Sequence, residues 1–243
     1  MDVAKATTEA RPKKPESIGT CSSCGGQFTK RQMTRHLEAC ILAQEAAETA
    51  GKSQPRQERF FHILVEGQGM PEYWLHIEMR ANAQLTELDA FLRDIWLECC
   101  GHLSQFTIDR TYFISYDDPL GRDADTRRMN VRLADVLEPG MTFEHEYDFG
   151  TSTYLKLRVL SERVGLDRRD ALRLLARNNP LDWRCAVCGK PATLVCSTCI
   201  YTGIPAWYCD EHQSEHTCPQ GYDEAYFLPV ANSPRVGMCG YTG

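Results

Sequence analysis

Between Cys185 and Cys218 the chain places Cys185, Cys188, Cys196, Cys199, Cys209, His212, His216 and Cys218, eight soft or borderline metal ligands in one short segment. Cys-x-x-Cys and Cys-x-x-His pairs let two side chains of one tight turn reach a single cation, so this set predicts two tetrahedral zinc sites. Nearer the N-terminus, Cys21-Ser-Ser-Cys24 is followed by His36 and Cys40. The last two sit four apart and share one helical face, which completes a third shell of a C2HC zinc finger. Twelve residues thus fill three four-ligand shells, and the sequence predicts three Zn2+. A saturated shell leaves no position for water, which makes these centres structural rather than catalytic. The C-terminal segment has little apolar material for a core of its own, so metal must supply about 10 kcal/mol or more of its folding energy per site.

Two pairings of the eight C-terminal ligands are open. A sequential pairing joins Cys185, Cys188, Cys196 and Cys199, leaving Cys209, His212, His216 and Cys218 for the second ion. An interleaved pairing joins Cys185, Cys188, Cys209 and His212, with Cys196, Cys199, His216 and Cys218 as the other set. The spacing, with Lys190-Pro-Ala-Thr-Leu-Val-Cys196 between the first two turns, resembles the cross-brace of B-box and related double-zinc modules. That resemblance implies the interleaved pairing and a protein partner rather than nucleic acid.

The segment's charge points the same way. From Leu181 onward it carries three Arg or Lys against six Asp or Glu, poor footing on a phosphate backbone. Net charge over the 243 residues is −6, and only residues 1–59 lean basic, with ten Lys or Arg against seven acids. Met1-Asp-Val-Ala opens no apolar run, and no window approaches a membrane span in length. Twelve cysteines in such a chain fit a reducing cytoplasm in which zinc, not disulfide chemistry, takes the thiols.

Residues 1–19, ahead of the first ligand, read as a disordered tail rich in Ala, Thr, Lys and Pro. A finger and helix over 20–50 follow, with Phe28 and Met33 as apolar plugs. Thr29 and Gln32 form a capping box at its start, and the helix runs through Leu37, Ile41 and Leu42 toward Ala50. Residues 51–59 read as a linker. Over 60–180 the periodicity predicts an α+β domain, a mostly antiparallel sheet with helices on one face, flanked by the two small zinc modules. Its elements are a hairpin around Gly67-Gln-Gly-Met-Pro71, a helix capped by Asn82 whose apolar stripe runs from Leu85 to Cys99, and short strands at Gln105–Ile108 and Tyr112–Tyr116. They continue with a polar loop from Tyr116 to Thr126, a short helix at Leu133–Leu137, a second hairpin around Gly150, and a helix capped by Asp167 that runs to Asn178.

Trp74-Leu-His-Ile-Glu78, Cys99-Cys-Gly-His-Leu-Ser-Gln-Phe106 and Glu146-Tyr-Asp-Phe-Gly150 together resemble the plasmid pRiA4b ORF-3-like family. The flanking modules, with the terminal Asn232-Ser-Pro-Arg235 and Cys239-Gly-Tyr-Thr-Gly243, resemble its zinc-carrying subgroup. The resemblance covers about half the chain and implies a fold more than a reaction. Many members follow the Tyr-Asp-Phe-Gly stretch with an acid and an indole, where this chain has Thr151 and Thr153.

The remaining candidates for chemistry are sparse. Cys99, Cys100 and His102 bring thiol and imidazole together, yet a helix stripe ending at Gly101 places Cys99 in the core and turns His102 toward backbone carbonyls. His145 and Asp148 fall on opposite faces of one strand by parity, and His62 and His76 read as strand residues without partners. Asp117, Asp118, Asp123 and Asp125 lack the spacing of a calcium loop. Cys239 is a spare thiol. The expected function is therefore a cytoplasmic, non-enzymatic zinc protein, an interaction or regulatory adaptor for a protein partner. The alternative is a nucleic-acid-binding regulator or mobile-element accessory protein that reads its target through Lys30, Arg31 and Arg35 of the finger.

Overall fold

The computed structural model describes residues 17–50, 56–116, 125–219 and 226–243. Among the described residues, ten strands and two α-helices build the N-terminal three quarters: β1 (Ile18–Cys21), β2 (Gln27–Thr29), α1 (Lys30–Thr49), β3 (Gln57–Gly67), β4 (Met70–Arg80), α2 (Leu85–Leu92), β5 (Ser104–Ile108), β6 (Thr111–Ile114), β7 (Thr126–Arg128), β8 (Thr142–Tyr147), β9 (Thr153–Leu166) and β10 (Leu172–Asn178). They form one sheet in the order β2-β1-β10-β4-β3-β9-β8-β5-β6-β7. Its pairs are antiparallel except β6 with β7, so the α+β class with a mostly antiparallel sheet holds. A separate three-stranded sheet, β11 (Leu194–Cys196), β12 (Trp207–Tyr208) and β13 (Phe227–Pro229), carries the C-terminal module.

Strand parity divides the interior. Phe61, Ile63 and Val65 of β3 and Tyr73, Leu75, Ile77 and Met79 of β4 face α2, whose Leu85, Leu88 and Leu92 complete the larger core. The opposite parity, Leu64 and Trp74, faces α1 through its stripe of Met33, Leu37 and Ile41. The hairpin is apolar on both sides because each side has a helix to bury. The finger is thus continuous with the sheet: β1 pairs with β10, and α1 lies across β3 and β4. β1 starts inside the stretch expected as a tail and β3 inside the expected linker.

Several expected elements differ. The stretch expected as a helix to Asn178 is strand β10, inserted between β1 and β4. A bulge between Leu174 and Ala176 breaks its alternation, so Leu172, Leu174, Leu175 and Ala176 mimic a helical stripe. Asp167 caps no helix and instead pairs with Arg80 at 2.7 Å. The N-cap of α2 is Gln84, in a reciprocal capping box with Glu87, rather than Asn82. That helix stops short of Cys99: a π-turn at Arg93–Leu97 follows and keeps Trp96 buried. Leu133–Asp135 is a single 3-10 turn. Of the acidic loop residues, Asp117, Asp118 and Asp123 lie outside the described residues, and Asp125 gives its carbonyl to the Tyr112 amide. Among the described residues no helix is long and apolar enough to cross a membrane.

Candidate metal centres

The first centre is built by the joint of finger and sheet. Cys21 ends β1, and Gly25 at φ +72° turns the chain so that Cys24 faces back. The amide of Gly26 donates to Cys24 Sγ at 3.4 Å. His36 and Cys40 approach from α1, whose start is fixed by the Thr29 amide donating to Gln32 Oε1 at 3.1 Å. Cys21 Sγ lies 3.8 Å from Cys40 Sγ, and Cys24 Sγ lies 3.3 Å from His36 Nε2. Phe28 stacks on the His36 ring with centroids 4.2 Å apart, orienting it as a plug should.

The C-terminal ligands meet in the interleaved arrangement. Cys188 Sγ lies 3.8 Å from Cys209 Sγ, and His212 Nδ1 lies 3.1 Å from Cys209 Sγ and 3.8 Å from Cys185 Sγ. In the other set, Cys218 Sγ lies 3.6 Å from Cys196 Sγ and 3.7 Å from Cys199 Sγ, with His216 Nε2 at 3.3 Å from Cys199 Sγ. β11 delivers Cys196 at its end while β12 delivers Cys209 just after it, so strand pairing itself crosses the two sets. The module is docked on the main core by Val195, Ala206, Leu228 and Val236. It is further fixed by Trp183, which stacks flat on Trp207 at 4.0 Å and donates its indole N–H to Tyr73 at 3.1 Å.

The donor chemistry fits zinc. Bonds of ~2.3 Å to sulfur and ~2.0 Å to nitrogen place tetrahedral ligands ~3.8 Å apart for two sulfurs and ~3.5 Å for sulfur and nitrogen. The contacts above bracket those values. Around His216, the Nδ1 side meets Tyr208 Oη at 3.0 Å, and that hydroxyl in turn donates to the Pro205 carbonyl at 3.3 Å. This relay fixes the tautomer with Nε2 free to bind a cation. The thiols also repel one another as anions. Burial and neighbouring Cys21 push Cys40 up to about 12, and burial with Cys218 and Cys196 pushes Cys199 up to about 12. Against its own burial, Cys185 is brought down to about 6 by the amides of Cys188, Cys209 and Val187. A dication stabilises all these thiolates together, so loading releases protons. Each of these three groups has its donor atoms within 4.8 Å of one another, and all twelve cysteines are free of disulfides.

A fourth group meets the same criterion. Cys99, Cys100 and His102 are joined by Cys239, whose Sγ lies 3.2 Å from His102 Nε2 and 3.9 Å from Cys100 Sγ. Cys99 lies past the helix rather than on its stripe, and His102 turns toward sulfur rather than toward backbone carbonyls. No spacing rule links residue 239 to residues 99–102, so only folding reveals the set.

Other sequence candidates resolve into structural contacts. Lys30 is engaged by the Glu66 carboxylate and the Pro71 carbonyl, whereas Arg31 and Arg35 are exposed. Together with Arg158 these three line an open cavity of about 400 Å³ that Glu38 and Glu66 also border. His62 and His76, expected to lack partners, meet each other: His62 Nε2 lies 2.9 Å from His76 Nδ1. His145 is buried against Asp89 at 2.7 Å. Asp148, at φ +66°, turns inward and pairs with the fully buried Arg235 at 2.7 Å.

No family model and no curated protein matches the chain. Among solved structures, the chain is similar to a protein of unknown function from Methanosarcina mazei, at 18% identity and a TM-score of 0.39, over 49% of this chain and 67% of that one.

Proposed function

We propose that this chain is a non-enzymatic zinc protein, an interaction or regulatory adaptor for a protein partner in a reducing, cytoplasmic setting. Zn2+ fills the three terminal centres: Cys21, Cys24, His36 and Cys40; Cys185, Cys188, Cys209 and His212; and Cys196, Cys199, His216 and Cys218. The observation that carries the reading is that each set converges as a closed four-donor shell inside a module seated on the sheet. Such centres rigidify a surface and leave no coordination position for a substrate. Val187, Tyr201, Ile204 and Tyr226 are exposed on the C-terminal module and supply apolar contact for a partner. Membership in the plasmid pRiA4b ORF-3-like family belongs to the same proposal. Two stretches that carry the resemblance meet in the Asp148–Arg235 pair, which supports it.

A second reading draws on Arg31, Arg35 and Arg158 around the open cavity, a small basic rim suited to a phosphate backbone. Fluorescence polarisation of zinc-loaded protein with mixed DNA and RNA oligonucleotides, at low and near-physiological salt, separates the two. The adaptor reading expects no binding that survives the higher salt. Binding that does survive, and that is lost when Arg31, Arg35 and Arg158 become Ala, replaces it with the nucleic-acid reading.

A further inference from the structure

We infer that Cys99, Cys100, His102 and Cys239 form a fourth, solvent-facing Zn2+ site that clasps the C-terminal tail to the loop after α2. This goes beyond the three-centre reading and does not rest on it. The donor set is three thiols and one imidazole, the same as in the terminal centres, with all donor atoms within 4.8 Å. Cys100 Sγ lies 3.5 Å from Cys99 Sγ and 3.3 Å from His102 Nε2. These spacings match a tetrahedral shell as the others do.

Both halves of the site are held in place before any metal arrives. On the loop, the Tyr147 hydroxyl donates to Glu98 Oε1 at 2.9 Å and accepts from the amides of Cys99 and His102 at 3.5 and 3.3 Å. Glu98 also accepts the Gly101 amide at 2.6 Å, and Gly101 at φ +76° makes the turn that lets two adjacent cysteines face one point. On the tail, Cys239 itself has φ +46°, a left-handed conformation that is unfavourable for a non-glycine residue. Strained positions of this kind persist where the surroundings over-determine them.

The surroundings suit a metal thiolate. Three thiolates around a dication leave one excess negative charge, and Arg235 Nη2 donates to Cys99 Sγ at 3.3 Å. The same guanidinium holds Asp148, Thr153 Oγ1 at 3.0 Å and the Thr151 carbonyl at 3.1 Å, so the tail is already gripped one turn upstream of Cys239. His102 Nε2 faces Cys100 Sγ, Cys239 Sγ and, at 3.4 Å, Asp148 Oδ2. A single N–H cannot serve three acceptors; with Nε2 coordinated to zinc, the sulfurs share the cation and Asp148 stays with Arg235. Cys100 and Cys239 are both exposed, whereas the terminal centres have one exposed ligand each at Cys24 and Cys188 and none in the Cys196 set, so this ion would face solvent most openly of the four.

The test is a metal count on the full chain purified under reducing conditions, wild type beside a Cys100→Ser, Cys239→Ser double variant. These substitutions leave Cys99 and the Arg235 contacts intact, and circular dichroism checks that the variant is folded. The site requires one Zn2+ fewer in the variant; equal zinc in the two chains overturns it. If the variant does not fold, maleimide labelling of the zinc-loaded wild type decides. The site expects Cys100 and Cys239 to be protected until chelator is added, and immediate labelling overturns it. The count is a difference between chains that share the three terminal centres, so its failure leaves the proposed function standing.

Discussion

The buried histidine pair shows how single residues join the finger to the sheet. Thr34 of α1 donates its hydroxyl to the Lys30 carbonyl at 3.2 Å, so His76 Nε2–H, at 3.5 Å, donates to Thr34 Oγ1. His76 Nδ1 is then the acceptor for His62 Nε2–H, and both rings are neutral. Burial lowers His62 to about 4, with Glu78 opposing and Arg163 assisting. Burial also lowers His76 to about 3, helped by His62, Lys30 and Arg158. In the unfolded chain both titrate near the ordinary value of ~6.5. The unfolded state therefore binds more protons between that value and about 4, and stability is full above ~6.5 and falls as pH drops through the window. Urea unfolding of wild type and a His62→Gln variant, followed from pH 7.5 to 5, measures this. The wild type is expected to lose about 1–2 kcal/mol more than the variant over that range. Parallel curves would show that the pair does not stay neutral in the fold.

At the scale of elements, α1 is the piece whose role differs most from that of an independent finger. Its stripe of Met33, Leu37 and Ile41 is buried against β3, β4 and β10. Its far end is tied by Glu45 to both guanidinium nitrogens of Arg163 at 2.8 Å, and Arg163 in turn reaches the buried Glu78 at 2.6 Å. Leu37→Ala removes a side chain that is 1% exposed and is expected to cost about 2–5 kcal/mol. Because the helix and sheet share one interior, the loss should lower the midpoint of a single global transition in denaturant. A finger that melts first, with the sheet's midpoint unchanged, would contradict that coupling. The helix was legible: Thr29, Gln32 and the apolar stripe place it from Lys30 to Thr49. Strand β10 was not, because its bulge shifts the apolar residues out of alternation and into a helix-like pattern. What decides it is its position between two partners, which no local pattern encodes.

Over the whole molecule, the most specific features of the chain are its clusters of Cys and His residues that could hold metal ions. Twelve of these residues were legible because knuckle spacing is local and chemically specific. The fourth group was half visible as Cys99, Cys100 and His102, while Cys239 was a leftover thiol until folding brought residue 239 to the loop. Arg235 was equally opaque: a charged residue in a Pro- and Gly-rich tail gives no hint that it is fully buried among Asp148, Thr153 and Cys99. The tail's composition follows from that role. Gly237 at φ +80° and Gly240 at φ +71° bend the chain back over the core, where Tyr241 is buried. Zinc stoichiometry by native mass spectrometry, paired with circular dichroism before and after chelation, tests the metal centres together. Zinc is expected at all three terminal centres, with loss of ordered structure at both ends of the chain when chelator removes it. A chain that is fully folded while holding no metal would overturn the zinc reading.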